Sequence, residues 1–249
     1  MADNNAHTMV AAMWSVNILA LLFIISRIFS KWKFGKPIST DDHILVLSWI
    51  TLTVYTAIIH VATIYGLGYR YVNIAPNDFP YAMKYMTFGN FFAILALQTS
   101  KTSFAVTLLR VVTKTWQTWA LWAIIITNNT VLGADAIVSI ASCNPIAKRW
   151  RFELPGKCVP MSDVINFSVF CGIYSGVMDI TLAAFPIVLL QPLQMKRKEK
   201  IGICVSMSLG LFAGITAFIK SSYLLWLLKW TDQMCKCSPQ NKAIVLTVV

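Results

Sequence analysis

The sequence predicts an all-α membrane protein: a polytopic bundle of transmembrane helices with its N-terminus outside. Three observations predict it. Hydrophobic residues make up 57% of the 249 residues and charged residues only 12%, about half the charged share of a soluble domain. Mean hydropathy is +0.65. The apolar residues fall in blocks of roughly 20 or more, the length that crosses about 30 Å of hydrocarbon at ~1.5 Å per residue. No repeat or low-complexity segment divides the chain, so residues 1–249 read as a single integral membrane domain.

Six spans are expected, in order. The first, Met9–Phe29, follows "MADNNAHT", which has an aspartate and no Lys or Arg. That leader lacks the basic stretch and small-residue cleavage site of a signal peptide, so the first helix should remain as an anchor. The second, His43–Tyr65, is opened by the paired Asp41 and Asp42, which favour a helix N-terminus as caps. The third, Tyr85–Leu109, has Gln98, Lys101, Thr102 and Ser103 in its apolar run and closes at Arg110. The fourth, Trp116–Ile140, leads into the loop "SCNPIAKRWRFELPGKC". The fifth, Val164–Leu190, and the sixth, Ile201–Leu228, flank the basic "MKRKEK". Residues 229–249 end in a short apolar run and read as a C-terminal tail or a truncated seventh helix.

Orientation follows from Lys and Arg near the helix ends. "SRIFSKWKFGK", Arg110 with Lys114, and "MKRKEK" are short and basic, as cytoplasmic loops are. The loop after the fourth helix is basic as well, but it is longer and weighs less in the rule. The net charge of +11 therefore belongs to loops at both faces. It points to the lipid bilayer, with attraction of the inner loops to anionic lipid, and not to a nucleic-acid surface. The protein is expected in the plasma membrane or an endomembrane.

Cysteine usage follows the same map. Cys143 and Cys158 flank the outer loop on the oxidising side, where a disulfide closing a loop of this length contributes roughly 3 kcal/mol. Cys171 and Cys204 lie within helices and read as small hydrophobes. Cys235 and Cys237 form a Cys-x-Cys without a nearby histidine, which argues for solvent-side thiols or a second disulfide and against a metal. The sequons at Asn128 and Asn166 fall in or at the lip of helices, out of reach of glycosylation.

Ionisable side chains at membrane depth cost about 2.5–3.5 kcal/mol on insertion scales, so each one is a site hypothesis. Lys101 and Asp179 lie ~24 Å and ~22 Å from the outer ends of their predicted helices. The shared depth makes them an expected intramembrane ion pair, either a brace between helices or a contact to a ligand. His60, Asp135 and Lys220 lie nearer the outer face, where an acid, a base and a histidine make a candidate ligand-binding tier for a small lipophilic or polar molecule. Asp41, Asp42 and Arg110 are the expected inner-face polar cluster.

Taken together, "STDDHILVLSWI", "LQTSKTSFAVTLLRV", "CNPIAKRW" with Cys158 downstream, and "MDITLAAFPIVLLQPLQMKRKEKIGICVSMSLGLFAG" resemble the fungal rhodopsin-domain integral membrane proteins. That seven-helix family includes a protein of the satratoxin gene cluster and the Pth-type receptor-like proteins. The motifs carry Asp41 and Asp42; Lys101, Ser103 and Arg110; Cys143, Pro145 and Trp150; and Asp179 and Pro186. The resemblance covers roughly residues 10–228 and departs at the seventh helix. In rhodopsins proper the Schiff-base lysine is on that helix, so no retinal or other cofactor is expected here.

Three functional classes follow. The resemblance implies most directly an integral membrane protein beside secondary-metabolite biosynthetic genes, with no catalytic residue assigned. A receptor-like sensor of an extracellular small molecule is the second class. A membrane-embedded cyclase or isomerase acting on a lipophilic intermediate is the third. It needs a buried acid kept protonated, and Asp179 with a lysine at its own depth would be held ionised.

Overall fold

The computed structural model describes residues 5–33, 35, 39–67, 78–110, 112, 114–151, 154–190, 214–219 and 222. Its long elements are α1 (Asn5–Lys33), α2 (Thr40–Ile64), α3 (Phe79–Leu109), α4 (Thr115–Ala141) and α5 (Met161–Leu190). Five helices among the described residues are long and apolar enough to cross a membrane. The all-α transmembrane class read from composition is the class of the structure. Each helix begins before its apolar block, by four residues in α1 and six in α3, because helices continue through the polar interface where hydropathy has already fallen.

Of the sixth predicted span, 201–228, only a helical piece at 214–219 and residue 222 are described. Lys220, Cys204, Cys235, Cys237, the basic loop 195–200 and the tail 229–249 lie outside the described residues, as does the side chain of Pro186.

Local chemistry sets the helix ends. α1 carries Lys31 and Lys33 in its last turn, where cations favour the negative end of the helix dipole. Gly35, at φ 65°, donates its N–H to the Trp32 carbonyl at 3.1 Å. α2 closes on Gly66 at φ 100°. There the Gly66 N–H meets the Thr63 carbonyl at 3.1 Å and the Leu67 N–H meets the Ala62 carbonyl at 3.0 Å, the two bonds of a Schellman cap.

The chain divides into two compact units, Met1–Phe104 with Gly133–Val159 and Ala105–Leu132 with Pro160–Val249. In the first unit polar side chains join the apolar helices. The Trp49 indole N–H donates to the Asn17 carbonyl at 3.4 Å, and the Asn17 and Thr53 side chains bond at 3.2 Å. The Ser48 hydroxyl donates to the Ala96 carbonyl at 3.0 Å, joining α2 to α3. Such bonds help association in lipid, where the hydrophobic effect does not distinguish a helix from its surroundings. Val16, Leu19, Leu22 and Phe23 of α1 stay exposed, as a lipid-facing surface requires.

The first unit also contains a short antiparallel ribbon, β1 (Cys143–Asn144) with β2 (Lys157–Cys158), which places Cys143 opposite Cys158. These two cysteines form a disulfide. A single 3₁₀ turn, Ile146–Arg149, lies between the strands, preceded by a cis Asn144–Pro145 bond.

In the second unit α4 meets α5 where the Cys171 thiol approaches the Val131 carbonyl at 3.9 Å. α5 meets the piece 214–219 at two glycines. A Cβ added at Gly176 would lie 3.4 Å from the Gly214 carbonyl oxygen, and one at Gly214 would lie 3.0 Å from Ile180 Cγ1. Small residues let membrane helices approach this closely.

Candidate functional site

The best-defined polar constellation of the first unit lies where α1 ends and α2 begins. Asp41 and Asp42 are almost fully buried, at 1% and 2% exposure. Burial of two adjacent carboxylates is tolerable only with counter-charges and hydrogen bonds. α1 supplies the charges from Arg27 and Lys31, one turn apart on one face.

The geometry is close and reciprocal. Arg27 Nη2 donates to Asp41 Oδ2 at 2.8 Å and Arg27 Nε to Asp42 Oδ1 at 3.3 Å. Lys31 Nζ reaches Asp41 Oδ2 at 3.2 Å and both oxygens of Asp42, at 2.7 and 2.6 Å. The Ser39 backbone N–H donates to Asp42 Oδ2 at 3.0 Å, so Asp42 is an ion-pair partner and a cap of α2 together. The third helix joins through Ser103, itself 2% exposed, whose hydroxyl donates to the Asp41 carbonyl at 2.8 Å. Two acids face two bases, so the buried cluster is close to neutral.

The other predicted residues are placed as follows. Lys101 is buried in the first unit and Asp179 half-buried in the second; Arg110 is exposed at the end of α3. Asp135 is buried in the first unit. His60 is exposed, with its ring edge-on to Trp14 at 6.5 Å between centroids. Lys220 is outside the described residues. Among the described residues, no group of His, Cys, Asp and Glu has the arrangement of a metal centre.

Sequence reasoning missed Arg27 and Lys31. Both lie in a basic stretch that reads as a topology signal. Their spacing of four residues, with two adjacent acids 10 to 15 residues downstream, is the pattern that would have found them.

A second polar group braces the ribbon. The Arg149 guanidinium donates to the Ser142 hydroxyl and, at 3.4 Å, to the Thr87 hydroxyl on α3. Burial lowers the Arg149 pKa from its usual value. Trp150 packs on Phe88 with ring centroids 6.1 Å apart. At the same end of α3, Tyr65 stacks on Tyr81 and Tyr85 at 5.6 and 5.4 Å. Tyrosines at a helix end suit a membrane interface.

No curated protein and no solved structure matches the chain. A family model described as the fungal rhodopsin domain matches residues 26–248, a span that begins beside Arg27 and takes in Lys31, Asp41, Asp42 and Ser103. With nearly the whole length matched and the five described spans inside or overlapping it, the chain belongs to the fungal rhodopsin domain family.

Proposed function

We propose that this protein is a receptor-like membrane sensor of an extracellular small molecule, working beside secondary-metabolite biosynthesis. One observation carries the reading: the Arg27, Lys31, Asp41, Asp42 cluster fastens α1 to α2 through ion pairs on two buried carboxylates, and the Ser103 hydroxyl on the Asp41 carbonyl ties α3 to the same end. Charged clusters of this kind make good two-state elements. Intact they hold one helix arrangement, and a small shift of α1 against α2 separates several contacts together.

The chemistry of the cluster favours sensing over catalysis. Each carboxylate is engaged by a cation within 3.3 Å, and an acid committed to ion pairs is poorly placed to protonate a substrate. The link to secondary metabolism rests on the resemblance of the sequence motifs to a cluster-encoded relative.

Gene deletion with metabolite profiling and a response assay tests the proposal. A sensor leaves the intermediates of the pathway unaccumulated and changes the response to an external cue. Asp42→Asn, present at normal abundance, should shift the threshold of that response. Accumulation of one biosynthetic intermediate with an unchanged response would assign an enzyme instead.

A further inference from the structure

Two buried polar atoms of the second unit have no hydrogen-bond partner among the described residues: Asn128 Oδ1 on α4 and the Tyr174 hydroxyl on α5. They therefore do not bond to each other. Asn128 is 2% exposed and sits at the midpoint of α4, about 20 Å from either end. Tyr174 lies about 20 Å from the start of α5.

The register of the two helices puts these two residues at one level. Cys171 and Val131 mark where α5 meets α4. Asn128 precedes Val131 by three residues and Tyr174 follows Cys171 by three. In successive, oppositely directed spans both steps run the same way, by about 4.5 Å, and positions three apart share a helix face. Ser175, also 2% exposed, adds a third polar residue at this level.

Orphaned polar groups at the centre of a membrane are costly, and two of them at one level on neighbouring helices invite a bridging group. Asn128 Oδ1 accepts only, so the bridge must donate. Tyr174 can donate in turn, so the bridge should also accept. An ammonium would bring a charge that an amide oxygen and a phenol do not neutralise, and a ketone or ester has no proton to give. A hydroxyl satisfies both atoms. We propose that Asn128 and Tyr174 form a buried subsite that holds one hydroxyl group between α4 and α5, supplied either by an apolar alcohol or by a water molecule.

The sign of a stability change tests it. The full chain is placed in phosphatidylcholine nanodiscs and its melting temperature is compared with those of Tyr174→Phe, Asn128→Leu and the double variant. A bridged site predicts that each single variant melts lower, by about 2–4 °C, and that the double variant melts no lower than the worse single one. Removal of a truly orphaned group would raise the melting temperature. A rise, no change, or losses that add would each overturn the proposal. Tyr174→Phe deletes a single oxygen and carries the sign test alone if Asn128→Leu does not accumulate.

The source of the hydroxyl is read with 1-dodecanol and dodecane as probes. Stabilisation of the unsubstituted chain by the alcohol and not by the alkane, lost in Tyr174→Phe, assigns an apolar alcohol. With the single variants destabilised, no stabilisation, or one that persists in Tyr174→Phe, assigns the subsite to water.

Discussion

The Ser103 hydroxyl on α3 donates to the backbone carbonyl of Asp41 on α2 at 2.8 Å, and both residues are buried. A carbonyl in the first turn of a helix is already an acceptor for its own helix, so the serine uses its second lone pair and anchors α3 where the acids lie. Ser103→Ala should lower stability by about 0.6–1.5 kcal/mol. Thermal unfolding in nanodiscs should show a drop of about 2–4 °C, with Ser103→Thr keeping most of the stability. An unchanged midpoint for Ser103→Ala would remove this bond from the account.

Lys31 and Arg27 should not be equivalent. Lys31 makes its closest contacts with Asp42, 2.6 Å at the shortest, and is 21% exposed, whereas Arg27 is 34% exposed. Lys31→Met leaves Asp42 with Arg27 at 3.3 Å and should cost about 2 kcal/mol, below the usual range for a broken buried pair because the lysine is partly solvated. Adding Asp42→Asn should recover more than half of that loss. A double-mutant cycle of unfolding midpoints measures it, and strictly additive losses would show that the two do not act as a pair.

The disulfide should matter through the chain it closes. Cys143 and Cys158 are 15 residues apart, and opening a loop of that length costs roughly 3 kcal/mol. The unsubstituted chain should therefore lose stability on reduction. Cys143→Ser combined with Cys158→Ser should start at that lower level and be insensitive to reductant. Thermal scans with and without reductant make the comparison.

Arg149 and Lys148 are neighbours with different burdens. Arg149 ties Ser142 to Thr87, while Lys148 bonds to the Gly156 carbonyl of its own loop. Arg149→Ala should speed amide hydrogen exchange across 142–159 by tenfold or so, about 1.4 kcal/mol of local opening. Lys148→Ala should change it little. Equal effects would mean that the loop is held by the ribbon and the disulfide alone.

Five of the spans are legible from hydropathy because an apolar run as long as the one that starts at Ile44 in α2 has no other stable fate in lipid than a helix. Their ends are less legible. The first turn of α2 is made of Thr40, Asp41 and Asp42, residues that lower hydropathy yet extend the helix by capping it. The acids themselves stand out in the sequence, but their partners on α1 do not. Arg27 and Lys31 look the same as Lys33 until the crossing of α1 and α2 decides which side chains face the acids. Asn128 is harder still: it is one of two adjacent amides in the polar run Thr127–Thr130, and nothing singles it out until its oxygen is found buried without a donor among the described residues.

The placement of Arg27 and Lys31 bears on how the protein is made. During insertion a chain is oriented by its Lys and Arg, while Asp and Glu contribute little. Both cations therefore help direct the first hairpin as it leaves the ribosome, in the orientation the sequence predicts. Once α2 has followed α1, Asp41 and Asp42 arrive within 15 residues and neutralise them. The first two helices thus carry their own counter-ions into the bilayer, and this corner of the protein can assemble before the later spans have been synthesised.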